Sequence, residues 1–204
     1  MQIQRKKQIF ALCGIVAPIL FTLLVIIANF LRPDYSQIYN FVSDLTAGPY
    51  AIIQRLNFVI FGILTIGFAF GLRIGLLAPQ GRALKAGVWL VMIFGLGVFF
   101  AGVFPVDYLS RCPHDLVSSI AFLSIIAAQL LIWKGLKSAD GTVWGRYRKY
   151  SLISGILSII LLFVLRVAIG GNYQGIVQRA FLAVQWIWIE VTGLKLYFIT
   201  KRTN

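Results

Sequence analysis

Acidic residues are scarce in this chain: 204 residues carry six Asp and Glu against 19 Lys and Arg, and charged residues of both signs make up only 12%. Soluble domains carry about 25%, so an ordinary water-soluble globule is excluded. Histidine is scarcer still, with His114 alone. One histidine cannot ligate a bis-histidine haem or complete a three-histidine zinc site within the chain. No lysine falls in the middle of an apolar run, where a retinal Schiff base would need it. No cofactor is expected on these grounds. A metal, if held, would be bound weakly by oxygen-rich ligands.

What is abundant is apolar: 59% of the residues, with a mean hydropathy of +0.87. These residues fall in six runs, approximately 9–31, 56–77, 86–104, 116–133, 150–169 and 176–199. Each is near the roughly 20 residues a helix needs to cross a hydrocarbon core about 30 Å thick. None shows the polar–apolar alternation of barrel strands, so the sequence predicts an all-α integral membrane protein, a single bundle of six transmembrane helices. Cys13 in the first run and Cys112 in the connection before the fourth then lie on opposite sides of the membrane. That exceeds the roughly 7 Å over which two Cα atoms can be bridged, so no internal disulfide is expected.

The net charge of +13 raises the question of nucleic acid, and the positions of the basic residues answer it. Thirteen of the 19 lie at the N-terminus, in the second and fourth connections and in the tail; Arg32, Arg55, Arg111, Arg166 and Arg179 lie on the other side, and Arg73 at the end of the second run. The positive-inside rule then places both termini in the cytoplasm, in a cell membrane, and no nucleic-acid partner is expected. The excess charge suits anionic lipid. The first run is too long for a signal peptide and is expected to stay as an anchor, kinked at Pro18.

The longest outer connection, 32–50, places Ile38, Phe41, Val42 and Leu45 at i, i+3, i+4 and i+7, which predicts a short amphipathic helix lying on the outer interface. Gly67, Gly71 and Gly75, the row Gly87, Gly95 and Gly102, and the set Ser151, Ser154, Gly155 and Ser158 are expected to serve helix packing. Tyr35, Tyr50, Tyr108, Trp144, Tyr147, Tyr173 and Tyr197 read as interfacial belts.

Polar groups inside a membrane are costly, so their depth is informative. Asn29, Arg55, Asn57, Arg166, Gln178 and Arg179 all fall near the outer edge, as do Asp34, Asp44, Asp107 and Asp115. They predict an outward-opening polar vestibule that binds or transports an anionic or amphiphilic ligand such as a lipid head group. Arginine suits phosphate or carboxylate through its planar fork. The competing account is that the arginines snorkel to water and pair with the acids at the rim.

His114 and Asp115 open the fourth run after Cys112-Pro113, which allows two readings. His114 is a capping surface residue, or it is the base or metal ligand of a membrane-embedded hydrolase or transferase acting on lipid, with Asp44, Asp107 or Asp115 as partner. Glu190 is the one acid well inside a run, about two thirds of the way across, and reads either as a proton carrier or ion ligand or as a packing carboxyl. A purely structural or partner-binding membrane protein is the third class open to the chain.

Several short motifs occur together: Tyr39-Asn40-Phe41-Val42-Ser43-Asp44-Leu45, Gly48-Pro49-Tyr50, Gln54-Arg55-Leu56-Asn57-Phe58, Phe61-Gly62, Gly102-Val103-Phe104-Pro105-Val106-Asp107, His114-Asp115-Leu116 and Gln178-Arg179. As a set they resemble a prokaryotic multi-pass membrane family, domain of unknown function 998. The resemblance covers nearly the whole chain and implies a six-span bundle with its shared polar positions on the outer side. It implies no activity.

Overall fold

The computed structural model describes residues 2–76, 81–108, 110–139 and 144–202, with nothing said of the side chains of 138, 139 and 202. Six helices account for most of them: α1 (Gln2–Phe30), α2 (Ala51–Leu76), α3 (Arg82–Val103), α4 (Cys112–Gly135), α5 (Gly145–Ala168) and α6 (Gln174–Arg202). All six are long and apolar enough to cross a membrane, and no strand occurs among the described residues. Each predicted run lies on one of them. The helices begin earlier than the apolar runs because a helix continues into polar flanks where water satisfies its end groups. Leu77, the last residue of the second predicted run, lies outside the described residues.

Sequential helices pack side by side, and α6 packs against α1, closing the six into a ring. An aromatic cluster fills the middle. The Trp186 ring lies 4.4 Å from that of Phe61 and 5.0 Å from that of Phe21, and Phe94 stands 6.1 Å from Phe61. The helix α1 runs through Pro18, whose missing N–H leaves the Gly14 carbonyl without its helical donor. The peripheral helix α5 buries mainly a narrow face of small and polar residues and exposes Ile153, Ile156, Ile160 and Phe163, as a lipid-facing helix does.

The 31–50 connection is not a surface-lying amphipathic helix. It is a strap drawn across one end of the ring, and its only helical part is the 3-10 turn Val42–Thr46. Val42 and Leu45 are buried beneath it, while Ile38 and Tyr39 stay exposed. Local hydrogen bonds explain the departure. The Asp44 carboxylate accepts the Phe41 N–H at 2.8 Å, the Thr46 hydroxyl donates to the Ser43 carbonyl at 2.7 Å, and Gln178 of α6 takes the Val42 N–H at 2.7 Å. With the Phe41 and Val42 N–H groups spent this way, no regular α-helix runs through them from Ile38.

Candidate functional site

Three arginines brace the strap, Arg32 from within it and Arg55 and Arg111 from the bundle. Arg32 grips Asp34 through Nε at 2.9 Å and Nη2 at 2.8 Å and donates from Nη1 to the Ala47 carbonyl at 2.6 Å. Arg55 donates from Nε to the Thr46 carbonyl at 2.6 Å and pairs with Asp107 at 3.1 Å. Arg111 pairs with Asp44 at 2.9 Å and Asp115 at 3.4 Å, and its guanidinium lies over the Phe41 ring. Asp107 and Asp44, proposed from sequence as chemical partners, are thus ion-pair anchors. The Arg32 hydrogen bond holds the Asp34 carboxyl below its usual range, and burial pushes the Tyr35 phenol up.

His114 is not a surface residue: it is 3% exposed, in the first turn of α4. Its Nδ1 faces the carbonyl oxygens of Phe104 at 2.8 Å and Ala101 at 3.1 Å. Both are acceptors, so Nδ1 carries the proton and ties α4 to the carbonyl end of α3. The three aspartates considered for it turn to arginines instead, Asp44 and Asp115 to Arg111 and Asp107 to Arg55. Among the described residues no group of three or more His, Cys, Asp and Glu lies together as metal ligands would.

The polar residues expected to line one vestibule have different surroundings. Asn57 is buried and donates to the Phe21 carbonyl at 3.0 Å, joining α2 to α1. Gln178 is spent on the strap. Arg166 points away from the bundle, exposed beside Phe163 and Val167. Asn29 is half-buried, and its Oδ1 has no partner among the described residues.

Arg179 is set apart from the other strap arginines. Its Nη1 donates to the carbonyls of Gln37 at 2.8 Å, Asn40 at 2.9 Å and Gly175 at 3.0 Å, and Nη2 donates to the Tyr35 hydroxyl. Every acceptor is neutral. The contact needs Gly175, because a Cβ at that position would run into the strap carbonyls of Asn40, Gln37 and Ile38. The four acids at this end are taken by Arg32, Arg55 and Arg111, so the half-buried Arg179 has no carboxylate among the described residues.

Below Arg179 the α1–α6 seam opens into a groove of about 550 Å³, within the range of small-molecule sites. Its walls are apolar, with Leu23, Val25 and Ile26 of α1 facing Leu182, Trp186 and Ile187 of α6. The exposure of Ile19, Leu23, Ile26 and Ile187 leaves it open sideways, toward the bilayer. Gln37 and Val42 of the strap roof it, and Glu190 lies at the far end. Of the residues proposed from sequence, Arg179 and Glu190 line this groove; Asn29, Arg55, Asn57, Arg166 and Gln178 do not.

The profile of a family described as "Protein of unknown function (DUF998)" matches residues 15–195, from within α1 to within α6. The chain belongs to the DUF998 family. No curated protein and no solved structure matches it.

This DUF998 chain also holds a polar lattice that the sequence reading missed, at the meeting of α4, α5 and α6. Gln129 donates to Gln185 at 2.9 Å, Gln185 donates to Ser158 at 2.8 Å, and Ser158 lies 3.0 Å from the Gln129 side-chain oxygen, closing a triangle. Ser151 donates to the Gln129 carbonyl at 2.8 Å and accepts from Trp188 at 3.2 Å. Thr192 and Tyr147 extend the chain. Ser151, Ser154 and Ser158 were legible as a packing face. The signal for the lattice was the pair of amides, Gln129 and Gln185, deep in the fourth and sixth runs.

Proposed function

We propose that this protein binds an anionic bilayer lipid in the α1–α6 groove, with the head group on Arg179 and one acyl chain along the apolar track below. The observation that carries the reading is the unpaired charge of Arg179 at the mouth of a groove that opens sideways into hydrocarbon. A partly desolvated guanidinium with only neutral acceptors gains most from an anion, and its planar fork fits a phosphate. An acyl chain satisfies the rest of the groove, whose walls down to Glu190 are mainly apolar. By the distribution of Lys and Arg the strap end faces outward, so the head group belongs to the outer leaflet. Nothing around His114 favours lipid hydrolysis over binding, because the ring is buried and Asp44, Asp107 and Asp115 pair with arginines rather than with it.

Native mass spectrometry on protein offered equal amounts of phosphatidylglycerol and phosphatidylcholine tests this. The parent is expected to retain phosphatidylglycerol selectively, Arg179→Lys to retain less because the fork is lost, and Arg179→Gln to lose the selectivity. Arg166→Gln, on the outward face of α5, is expected to behave as the parent. Equal retention of both lipids by the parent, or unchanged selectivity in Arg179→Gln, overturns the reading.

A further inference from the structure

The groove has a floor as well as a mouth. One turn below Glu190, α6 and α1 meet backbone to backbone at Gly193, where a Cβ would come within 3.0 Å of the Ala11 carbonyl oxygen and 3.1 Å of the Gly14 carbonyl carbon. The seam is therefore closed there. Above that contact it is open, along Pro18 to Ile26 of α1 and Arg179 to Glu190 of α6. Eleven helical steps separate Arg179 from Glu190, about 16 Å along the axis.

Between Arg179 and Glu190 the track is mainly apolar, with Val25, Ile26, Leu182, Ala183 and Ile187 around the Trp186 ring. Thr22 lines it, but its hydroxyl donates back to the Pro18 carbonyl at 2.8 Å. Glu190 is half-buried, and no hydrogen bond or ion pair ties its carboxyl to another described residue. An alkyl chain that reached the carboxyl would cover it without offering a hydrogen bond, and a covered, unpaired polar group is costly whether charged or neutral.

We infer that Glu190 is a specificity-determining residue that ends the apolar track and so sets the length of acyl chain the groove accepts. The inference rests on the groove holding a lipid by Arg179. A chain that stops short of Glu190 fills the track and leaves the carboxyl free to snorkel toward the nearer membrane interface, about 8 Å further along α6 at Lys195. A longer chain must cover the carboxyl or fold back out of the groove, since the Gly193 contact blocks the way on.

The test is an equimolar mixture of phosphatidylglycerols with lauroyl, myristoyl, palmitoyl or stearoyl chains, offered to purified full-length protein, with the bound species read by native mass spectrometry. The parent is expected to enrich the shorter chains several-fold over stearoyl. Glu190→Leu is expected to shift the bound distribution toward longer chains, and Glu190→Gln, which keeps a polar terminus, to preserve the parent preference. Glu190→Ala supplies the same comparison if the leucine variant does not fold. A flat distribution in the parent, or an unchanged one in Glu190→Leu and Glu190→Ala, overturns the length-setting role while Arg179-dependent retention still stands. Retention that does not depend on Arg179 overturns the lipid reading itself.

Discussion

Helix α6 has two seams of opposite character. Toward α4 and α5 it presents Gln185, Trp188 and Thr192, and the seam is closed by hydrogen bonds among groups that are buried almost completely. Toward α1 it presents Leu182, Trp186 and Ile187, and above Gly193 the seam opens into the groove. The hydrophobic effect cannot distinguish the two, because lipid tails are as apolar as the side chains. Directional bonds and backbone contacts decide which helices stay shut. Where neither is present, lipid competes on equal terms with a neighbouring helix.

The contrast can be broken most severely at Gly193, where the backbones of α1 and α6 meet. Gly193→Leu places a side chain against the backbone of α1, and overpacking of this kind costs about 1–3 kcal/mol. It should appear as a lower unfolding midpoint in detergent together with a changed set of bound lipids, and an unchanged midpoint would show that the helices separate freely there. The closed seam comes next. Gln185→Leu leaves Gln129 and Ser158 short of a partner and should cost about 0.6–2 kcal/mol, with lipid selectivity at Arg179 intact. If that variant loses its lipid as well, the two seams are not independent.

The strap anchors should matter less. Arg111→Ala removes two exposed ion pairs and the contact with Phe41, which are worth at most about 1 kcal/mol together by the usual yield of such pairs. Limited proteolysis of the strap should speed up with little change in the unfolding midpoint; a large drop in the midpoint would make the strap part of the core. The smallest effect is that of acid on Asp34. Its folded pKa is depressed by Arg32, so its contribution is present above the ordinary carboxylate range and fades as pH falls through the depressed value. Strap proteolysis should therefore rise only at acid pH, and Asp34→Asn should abolish that part of the pH dependence.

The six spans were legible because hydrocarbon demands about the same length of apolar helix from each of them. The polar residues were legible in depth but not in direction. Arg166 and Arg179 lie at similar heights, yet one points outward and the other lies under the strap, and which face they take depends on helix rotation set by neighbours. The spacing of Ile38, Phe41, Val42 and Leu45 fits an amphipathic helix, but Asp44 and Gln178 claim backbone donors in the segment, and the latter lies 136 residues away in sequence. His114 was ambiguous for a related reason: backbone carbonyls are its partners, and they leave no mark in the sequence.

Ring closure by α1 and α6 has a consequence for biosynthesis. The two walls of the groove are the earliest and the latest of the six helices to be made, so neither the groove nor the Arg179 mouth exists while the chain is still being inserted. Until α6 enters, the α1 face from Pro18 to Ile26 is ordinary lipid-exposed surface. The strap likewise lacks its Gln178 and Arg179 ties during that interval. Under the lipid-binding proposal, the lipid enters the groove only once α6 has docked.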